Sequence, residues 1–200
     1  MEVPSDAELK LMSEIEIMLE NMRWPSRVTR RNIGSDPNRR AFALGRVYRY
    51  DRPGQLVESQ FNKKYPELFS ALKRLVLLHA PTFQFNSIQL NANVHTEPHY
   101  DTNNYGPSYA IGLGRFTGGG IVLYPGDRKS VTDVSNPIRL RNKRCWVCFN
   151  GATTLHGSIR VKSGTRYAII FFTRKAPRVS APHLQSSRVR RRSPRASRRR

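Results

Sequence analysis

The stretch Ser108–Tyr124, SYAIGLGRFTGGGIVLY, has the clearest strand pattern of this chain. Within Ser108–Gly114, large side chains alternate with small ones, which is the two-residue period of a strand whose two faces differ. The three glycines Gly118–Gly120 predict a turn, and the apolar run Ile121–Tyr124 predicts the strand that follows it. The stretch therefore indicates a core built from antiparallel strands.

Two amphipathic helices are predicted ahead of this stretch. Residues 5–22 begin with Ser5 and Glu8, which match a capping box, and continue with apolar residues three and four apart. Pro66–Leu78 predicts a second helix, with Pro66 in the first turn, where its missing N–H is not needed. The side chains predicted to face inward from it are Leu68, Leu72, Leu75 and Leu78.

Short strands are predicted through the rest of the chain. They fall at Phe42–Tyr50, Phe83–Asn93, Ile138–Leu140, Cys145–Phe149 and Arg166–Thr173. Helices followed by many short strands and Gly-rich turns are typical of an α+β fold with an antiparallel barrel or sandwich.

The charge of the chain narrows its function. Lys and Arg number 35 against 14 Asp and Glu, and the formal net charge is +21 over 200 residues. This charge favours a polyanionic partner. It excludes the class of acidic proteins that imitate a polyanion. Two cysteines exclude a disulfide scaffold. The acidic N-terminus and the short apolar runs predict a soluble, intracellular protein without a membrane partner.

The C-terminal segment RVRRRSPRASRRR carries eight arginines from Arg188 onward. Such a segment cannot bury a core and is predicted to be disordered, with nucleic-acid binding or nuclear import as its function. The alternative is a tail that binds polyanions without specificity. A second basic stretch, residues 26–40, is predicted to be a loop. The residues predicted to contact nucleic acid are Arg188, Arg190, Arg191, Arg192, Arg30 and Arg31.

Two histidines and a carboxylate form a candidate metal site. His99 and Asp101 lie two residues apart, so they point the same way in an extended chain, and Pro98 prevents a helix there. His156 follows a predicted strand and precedes a glycine. Two histidines and one carboxylate leave three positions open on an octahedral metal, which suits non-haem Fe(II) with O2 and a bidentate co-substrate.

Two alternatives stay open from the residues alone. The histidines could be ordinary loop residues, and His95 with Glu97 offers a second pair of the same spacing. Arg166 favours the functional interpretation, since it lies ten residues after His156 and opens a predicted strand. A guanidinium in that position can bind a carboxylate through two parallel hydrogen bonds.

Residues 82–173 resemble the Fe(II)/2-oxoglutarate dioxygenase superfamily, with a weaker likeness back to Ala41. The motifs that carry the resemblance are SIQLNAN, PHYDTNN, GPSYAIGLGRFTGGGIVLY, FNGATTLHGS and GTRYAIIFFT. The resemblance implies a double-stranded β-helix, or jelly-roll, core. We therefore expect a helical flanking region at 1–81, the dioxygenase core at 82–173 and a disordered basic tail at 174–200.

The same resemblance implies roles for individual residues. His99, Asp101 and His156 would bind the iron, because PHYDTNN fits the ligand turn of the family better than the pair at 95 and 97 does. Arg166 would bind the distal carboxylate of 2-oxoglutarate. The family's activity also requires O2, with ascorbate as a reductant.

Two further features concern the co-substrate. Asn91 and Asn93 are placed like family residues that contact it. Ala168 stands where many relatives have Ser, so one hydrogen bond to 2-oxoglutarate is missing or replaced.

A looser likeness to the TET/JBP-type oxygenases implies a nucleic-acid base as substrate, such as a 5-methylpyrimidine. The aromatic residues near the predicted cavity mouth that could stack on a base are Tyr100, Tyr105, Phe116 and Tyr124. Asn103 and Asn104 could contact a base edge or cap a turn. The alternatives are a prolyl or lysyl side-chain hydroxylase and a non-catalytic, basic nucleic-acid-binding protein on the same fold. The choice of DNA or RNA, the strandedness and the oligomeric state stay open.

Overall fold

The computed structural model describes residues 3–25, 40–49, 51, 54–127 and 130–175. Within them the helices are α1 (Asp6–Asn21), α2 (Gln60–Lys64) and α3 (Pro66–His79). The strands are β1 (Arg40–Tyr48), β2 (Leu56–Glu58), β3 (Ser87–Ala92), β4 (Asn104–Leu113), β5 (Phe116–Tyr124), β6 (Ile138–Leu140), β7 (Val147–Phe149), β8 (Leu155–Gly164) and β9 (Tyr167–Arg174). In this part of the chain, no helix has the length and apolar character needed to cross a membrane.

The strands form two antiparallel sheets. The larger sheet has the order β2-β1-β3-β9-β4-β7, and the smaller has the order β6-β5-β8. In the larger sheet, Ala168 of β9 lies opposite Asn91 of β3 on one side and Gly112 of β4 on the other. The prediction of helices combined with antiparallel sheets is confirmed, and the arrangement is consistent with a jelly-roll core.

The two faces of the larger sheet have different surroundings. On one face Leu90 and Ile169 join the main hydrophobic core, which the inward sides of α1 and α3 complete. On the other face Gln89, Asn91 and Ala168 line a cavity. Since successive side chains of a strand point to opposite faces, the helices that cover one face leave the other free to form a site.

The capping box predicted for α1 is confirmed. The Glu8 N–H donates to Ser5 Oγ at 3.3 Å, and the Ser5 N–H donates to Glu8 Oε2 at 2.8 Å. Glu8 is itself buried and accepts a hydrogen bond from Trp146 Nε1 at 2.8 Å. The capping residue therefore also fixes α1 to the segment that leads into β7.

The helix predicted at Pro66–Leu78 is α3, and its start at Pro66 is confirmed. The prediction that Leu78 faces the core is wrong. Leu78 is 49% exposed, whereas Val76 is fully buried. The reason is the helical period, because Leu78 lies about 80° away from the direction of Leu68. His79 returns to that direction and is buried, where it contacts Glu8.

The predicted turn at Gly118–Gly120 is part of a strand. These glycines lie inside β5, all with positive φ, beside a register shift between Thr117 and Gly118. Glycine tolerates such a bulge, so the strand continues through it. The elements α2, β2 and β8 were not predicted, and β3 begins at Ser87 rather than at residue 83.

Several predictions fall outside the described residues. They concern Arg30 and Arg31 of the basic loop and Arg188, Arg190, Arg191 and Arg192 of the tail. The proposed boundary at residue 174 lies within β9, which ends at Arg174.

Candidate metal centre

His99 and His156 are held side by side by the backbone. The His99 N–H donates to the His156 carbonyl at 2.8 Å, and the His156 N–H donates to the His99 carbonyl at 3.1 Å. The two rings lie 4.4 Å apart between centroids. His156 is the second residue of β8, so this strand brings the ligand predicted from a distant part of the sequence to the PHYDTNN turn.

Asp101 completes the group. Its N–H donates to the Gly151 carbonyl at 2.8 Å, which fixes the turn against the segment before β8. A Cβ on Gly151 would lie 3.2 Å from Asp101 Oδ2 and 3.3 Å from His156 Cε1. The absence of a side chain at this position therefore leaves room for the carboxylate to approach the imidazole.

The potential ligand atoms of His99, Asp101 and His156 all lie within 4.8 Å of one another. His99 Nε2 is 3.7 Å from Asp101 Oδ1, and His156 Nε2 is 3.6 Å from Asp101 Oδ2. These separations are longer than hydrogen bonds and leave a space between the three atoms. Among the described residues, this is the group of histidine, cysteine and carboxylate side chains that could hold a metal ion.

The hydrogen bonds of the imidazoles set their tautomers. His99 Nδ1 contacts the Glu97 carbonyl at 2.8 Å, and His156 Nδ1 contacts the Thr154 carbonyl at 2.9 Å. A carbonyl oxygen only accepts, so each Nδ1 carries the proton of the neutral ring and each Nε2 presents a lone pair. Two lone pairs and a carboxylate thus converge, and a cation between them would be stabilised.

The environment keeps the ligands in the protonation states that a metal requires. Burial lowers the pKa of His99, and the neighbouring His156 lowers it further, which favours the neutral ring. Burial alone would raise the pKa of Asp101, but the nearby His156, His99 and Arg174 hold it below its usual range. Asn104 Nδ2 also donates to Asp101 Oδ2 at 3.2 Å, so this asparagine orients the carboxylate.

A cavity of about 170 Å³ lies between the two sheets and contains the three ligands. Arg166, the residue before β9, and Arg174, its last residue, line the cavity at the two ends of a row that also contains Ala168, Ile170 and Phe172. These residues are two apart in sequence, so their side chains lie on the same face of the strand. The cavity is therefore positively charged along one wall.

Arg166 is the most unusual side chain of this cavity, since it is only 3% exposed and has no carboxylate partner among the described residues. Its Nη2 donates to Asn142 Oδ1 at 3.0 Å, while its Nε has no hydrogen-bond partner in the described part of the chain. Burial lowers its pKa to about 10, so the guanidinium is still charged at neutral pH. A buried cation with an unused donor fits a ligand that brings its own carboxylate.

The two asparagines predicted to contact the co-substrate have different positions. Asn91 lines the cavity, where its Oδ1 accepts from Gln89 Nε2 at 3.0 Å. Asn93 follows the end of β3 with φ 52°, which breaks the alternation, and it is not part of the cavity lining. Its Oδ1 accepts from the Arg166 N–H at 2.8 Å, so Asn93 orders the backbone that carries the arginine.

The second histidine–carboxylate pair lies apart from the metal group. His95 Nε2 is 3.2 Å from Glu97 Oε1, and the Glu97 side chain is 73% exposed. Ser158 Oγ lies 3.4 Å from His95 Nδ1. Neither residue joins His156 in a group of ligand atoms. The choice of His99 and Asp101 made from the sequence therefore agrees with the geometry.

Of the aromatic residues predicted to stack on a base, Phe116 and Tyr124 are buried. Tyr105 is 70% exposed, and Tyr100 packs partly buried against a small core cluster.

Arg174 and Asn142 are two polar residues of the cavity that were not predicted as site residues. Arg174 could have been found, because it continues the two-residue period from Arg166, whereas nothing in the sequence pattern points to Asn142.

No protein-family model matches the chain, and no curated protein is significantly similar to it in sequence. Solved structures are similar. An oxidoreductase of the 2OG-Fe(II) oxygenase family from Burkholderia pseudomallei aligns with a TM-score of 0.52 and 18% identity over 86% of this chain and 82% of that chain. The chain has the fold of the 2OG-Fe(II) oxygenases. The resemblance predicted from the sequence is confirmed in this fold and in the His-Asp-His group.

Two further structures with the 2OG-Fe(II) oxygenase fold extend the comparison. NgTET1 in complex with 5mC DNA has a TM-score of 0.52 and 14% identity, over 88% of this chain and 71% of that chain. A Trichoplax adhaerens prolyl hydroxylase in complex with a hypoxia inducible factor peptide has a TM-score of 0.48 and 10% identity, over 85% of this chain and 79% of that chain.

Proposed function

We propose that this protein is an Fe(II)/2-oxoglutarate-dependent dioxygenase that oxidises a C–H bond on a nucleic-acid base, such as the methyl group of a 5-methylpyrimidine. One observation carries the proposal of an oxygenase. The cavity that holds the three converging ligand atoms also holds a buried guanidinium, for which the residues that the structure describes provide no carboxylate partner.

In this proposal each feature of the cavity has one role. His99, Asp101 and His156 hold Fe(II) and leave three positions for exogenous ligands. Arg166 binds the distal carboxylate of 2-oxoglutarate and so orients its 2-oxo acid end towards the metal. When bound, Fe(II) with 2-oxoglutarate and O2 supplies the oxidising power, and the co-substrate leaves as succinate and CO2. The apolar side chains of Ile121 and Ile170 limit water in the cavity.

The charge of the protein supports a nucleic acid as substrate. The net charge of +21 favours association with phosphate groups, and Arg174 brings a guanidinium to the cavity. A base in a duplex must leave the stack to enter such a cavity. The exposed ring of Tyr105, at the start of β4, could stack on a neighbouring base. The similar fold of a TET-type protein in complex with 5mC DNA is in line with this substrate class.

The test is the formation of succinate from 2-oxoglutarate with Fe(II), ascorbate and air. It compares DNA and RNA oligonucleotides that contain 5-methylcytosine with unmodified ones and with prolyl and lysyl peptides. We expect turnover to rise with the methylated nucleic acid and to vanish in His99→Ala. His95→Ala is the matched control, because His95 lies outside the ligand group, and it should retain turnover.

The other outcomes decide between the alternatives. Succinate that increases only with peptides would replace the nucleic-acid substrate by a protein side chain. Salt-dependent nucleic-acid binding without succinate under any condition would leave a non-catalytic binding protein and overturn the proposal.

The basic segments can be tested by measuring the affinity for nucleic acid at several salt concentrations. Replacing Arg188, Arg190, Arg191 and Arg192 by Ala should weaken nucleic-acid binding and reduce its dependence on salt. Replacing Arg30 and Arg31 tests the loop in the same way. Unchanged binding in both variants would assign the phosphate contacts to other residues.

A further inference from the structure

Asn142 lies beside Arg166, in the segment between β6 and β7. Its side chain is 1% exposed, and it lines the cavity. The backbone carbonyl oxygen of Asn142 accepts a hydrogen bond from the Gly112 N–H at 2.8 Å, which fixes the residue against β4. Asn142 is therefore a buried amide that is held in place by the backbone of the larger sheet.

The orientation of this amide follows from its neighbour. A guanidinium only donates, so the atom that faces Arg166 Nη2 at 3.0 Å must be Oδ1. Nδ2 then points away from the arginine, and it has no hydrogen-bond partner among the described residues. A buried amide nitrogen without a partner is costly, and such groups are rare in folded proteins.

The side chains of Asn142 and Arg166 thus meet at one end of the cavity. Gly112 allows this contact, because a Cβ at that position would lie 3.3 Å from Arg166 Nε and 3.3 Å from Asn142 Oδ1. On β9, Ala168 lies opposite Gly112 and offers only a methyl group to the cavity. A carboxylate at this end would therefore be bound by Arg166, whose orientation is fixed by Asn142.

We propose that Asn142 is a positioning residue, whose Oδ1 holds the Arg166 guanidinium in the orientation that binds the distal carboxylate of 2-oxoglutarate. The inference rests on the proposed function and assigns a further residue to its co-substrate site. A carboxylate is the natural ligand here, because it offers lone pairs to the guanidinium and a negative charge to pair with it. A 2-oxo acid without a distal carboxylate would leave the arginine without a charge partner and should bind poorly.

The test measures binding to the full-length protein loaded with Mn(II), by isothermal titration calorimetry and without turnover. The two ligands are 2-oxoglutarate and oxalate, which can chelate the metal but has no distal arm. We expect Asn142→Ala to weaken 2-oxoglutarate about tenfold, the usual effect of one hydrogen bond to a charged group. Its affinity for oxalate should not change. Asn103→Ala, at an exposed position, should leave both affinities unchanged.

A second variant covers the case in which the alanine variant does not fold. Asn142→Asp has nearly the same shape, but its carboxylate would pair with Arg166 and repel the ligand. We expect it to lose most 2-oxoglutarate binding and to keep oxalate binding.

Each remaining outcome decides the matter. If either variant binds 2-oxoglutarate as the wild type does, or loses both ligands equally, the role of Asn142 is overturned while the oxygenase proposal stands. If the wild-type protein with Mn(II) binds neither ligand, the proposed function itself fails.

Discussion

Arg144 and Arg166 are two arginines of the same domain with opposite surroundings. Arg144 donates through Nε and Nη2 to Glu16 of α1, and this pairing raises its pKa. Arg166 is almost fully buried without an acidic partner among the described residues, and burial lowers its pKa to about 10. The first arginine is paired with a carboxylate of the fold, whereas the second would gain a carboxylate partner from the proposed co-substrate.

The difference separates structural arginines from binding ones. A paired arginine stabilises the folded state at no cost to function, and replacing it affects folding. A buried arginine without a carboxylate partner destabilises the protein when no ligand is bound. Replacing it is expected to change the affinity for the ligand.

The largest expected effect is on co-substrate binding. Arg166→Met should lower the affinity of the Mn(II)-loaded protein for 2-oxoglutarate by about 100-fold or more, because a carboxylate would lose its buried charge partner. Arg144→Met should leave this affinity unchanged. Calorimetric titration of both variants measures the contrast. A change of less than about threefold in Arg166→Met would remove the basis of the comparison.

Without ligand, the free energy of unfolding should be affected by the Arg144 substitution rather than by the Arg166 substitution. Urea unfolding should show that Arg166→Met is as stable as the wild type or more so, since it removes an unpaired buried charge. Arg144→Met should lose about 1 kcal/mol, because solvent screens a side chain that is about a third exposed.

An effect of intermediate size is expected for the pH dependence of stability, through the ion pair of Glu16 and Arg144. Burial raises the pKa of Glu16, but hydrogen bonds from Arg144 and from the Gly114 N–H lower it below the ordinary value of 4.5. Because the folded-state pKa is the lower one, ionised Glu16 stabilises the fold fully above pH 4.5. This contribution is lost as the pH falls through the folded-state pKa.

Glu16→Gln should therefore be about 1–2 kcal/mol less stable than the wild type at pH 7. The difference should shrink as the pH falls below about 4.5. Urea unfolding at several pH values gives this difference directly. If the difference in unfolding free energy between the wild type and Glu16→Gln stays constant down to about pH 3, the fold does not lower the pKa of Glu16.

The smallest expected effect uses two neighbouring glycines of β5. Gly119 (φ +67°) would place a Cβ 2.8 Å from Arg166 Cδ, and Gly118 (φ +68°) would place one 2.8 Å from Lys162 Cγ. Alanine is strained at both positions, so both variants should lose about 1–2 kcal/mol. Only Gly119→Ala should also weaken 2-oxoglutarate binding, by a few-fold, because it displaces the arginine. Equal affinities in the two variants would contradict this.

Local sequence patterns predicted the elements whose cause is local. The capping box at Ser5, the start of α3 at Pro66 and the alternation around β4 all depend on residues close in sequence, so period and capping rules are sufficient. The unpredicted β8 has an exposed, polar C-terminal half, and its pairing with β5 cannot be inferred from alternation of apolar residues.

The basic charge, the histidines and carboxylate of the candidate metal group, and the arginine ten residues after His156 can all be predicted from residue types and short spacings. The three-dimensional contacts were needed to show that Asn93 orders a backbone while Asn142 lines the cavity. They were also needed to show that Arg144 has a carboxylate partner, whereas Arg166 has none among the described residues. Such contacts join residues far apart in the chain, and the pairing of strands rather than local spacing sets which of them meet.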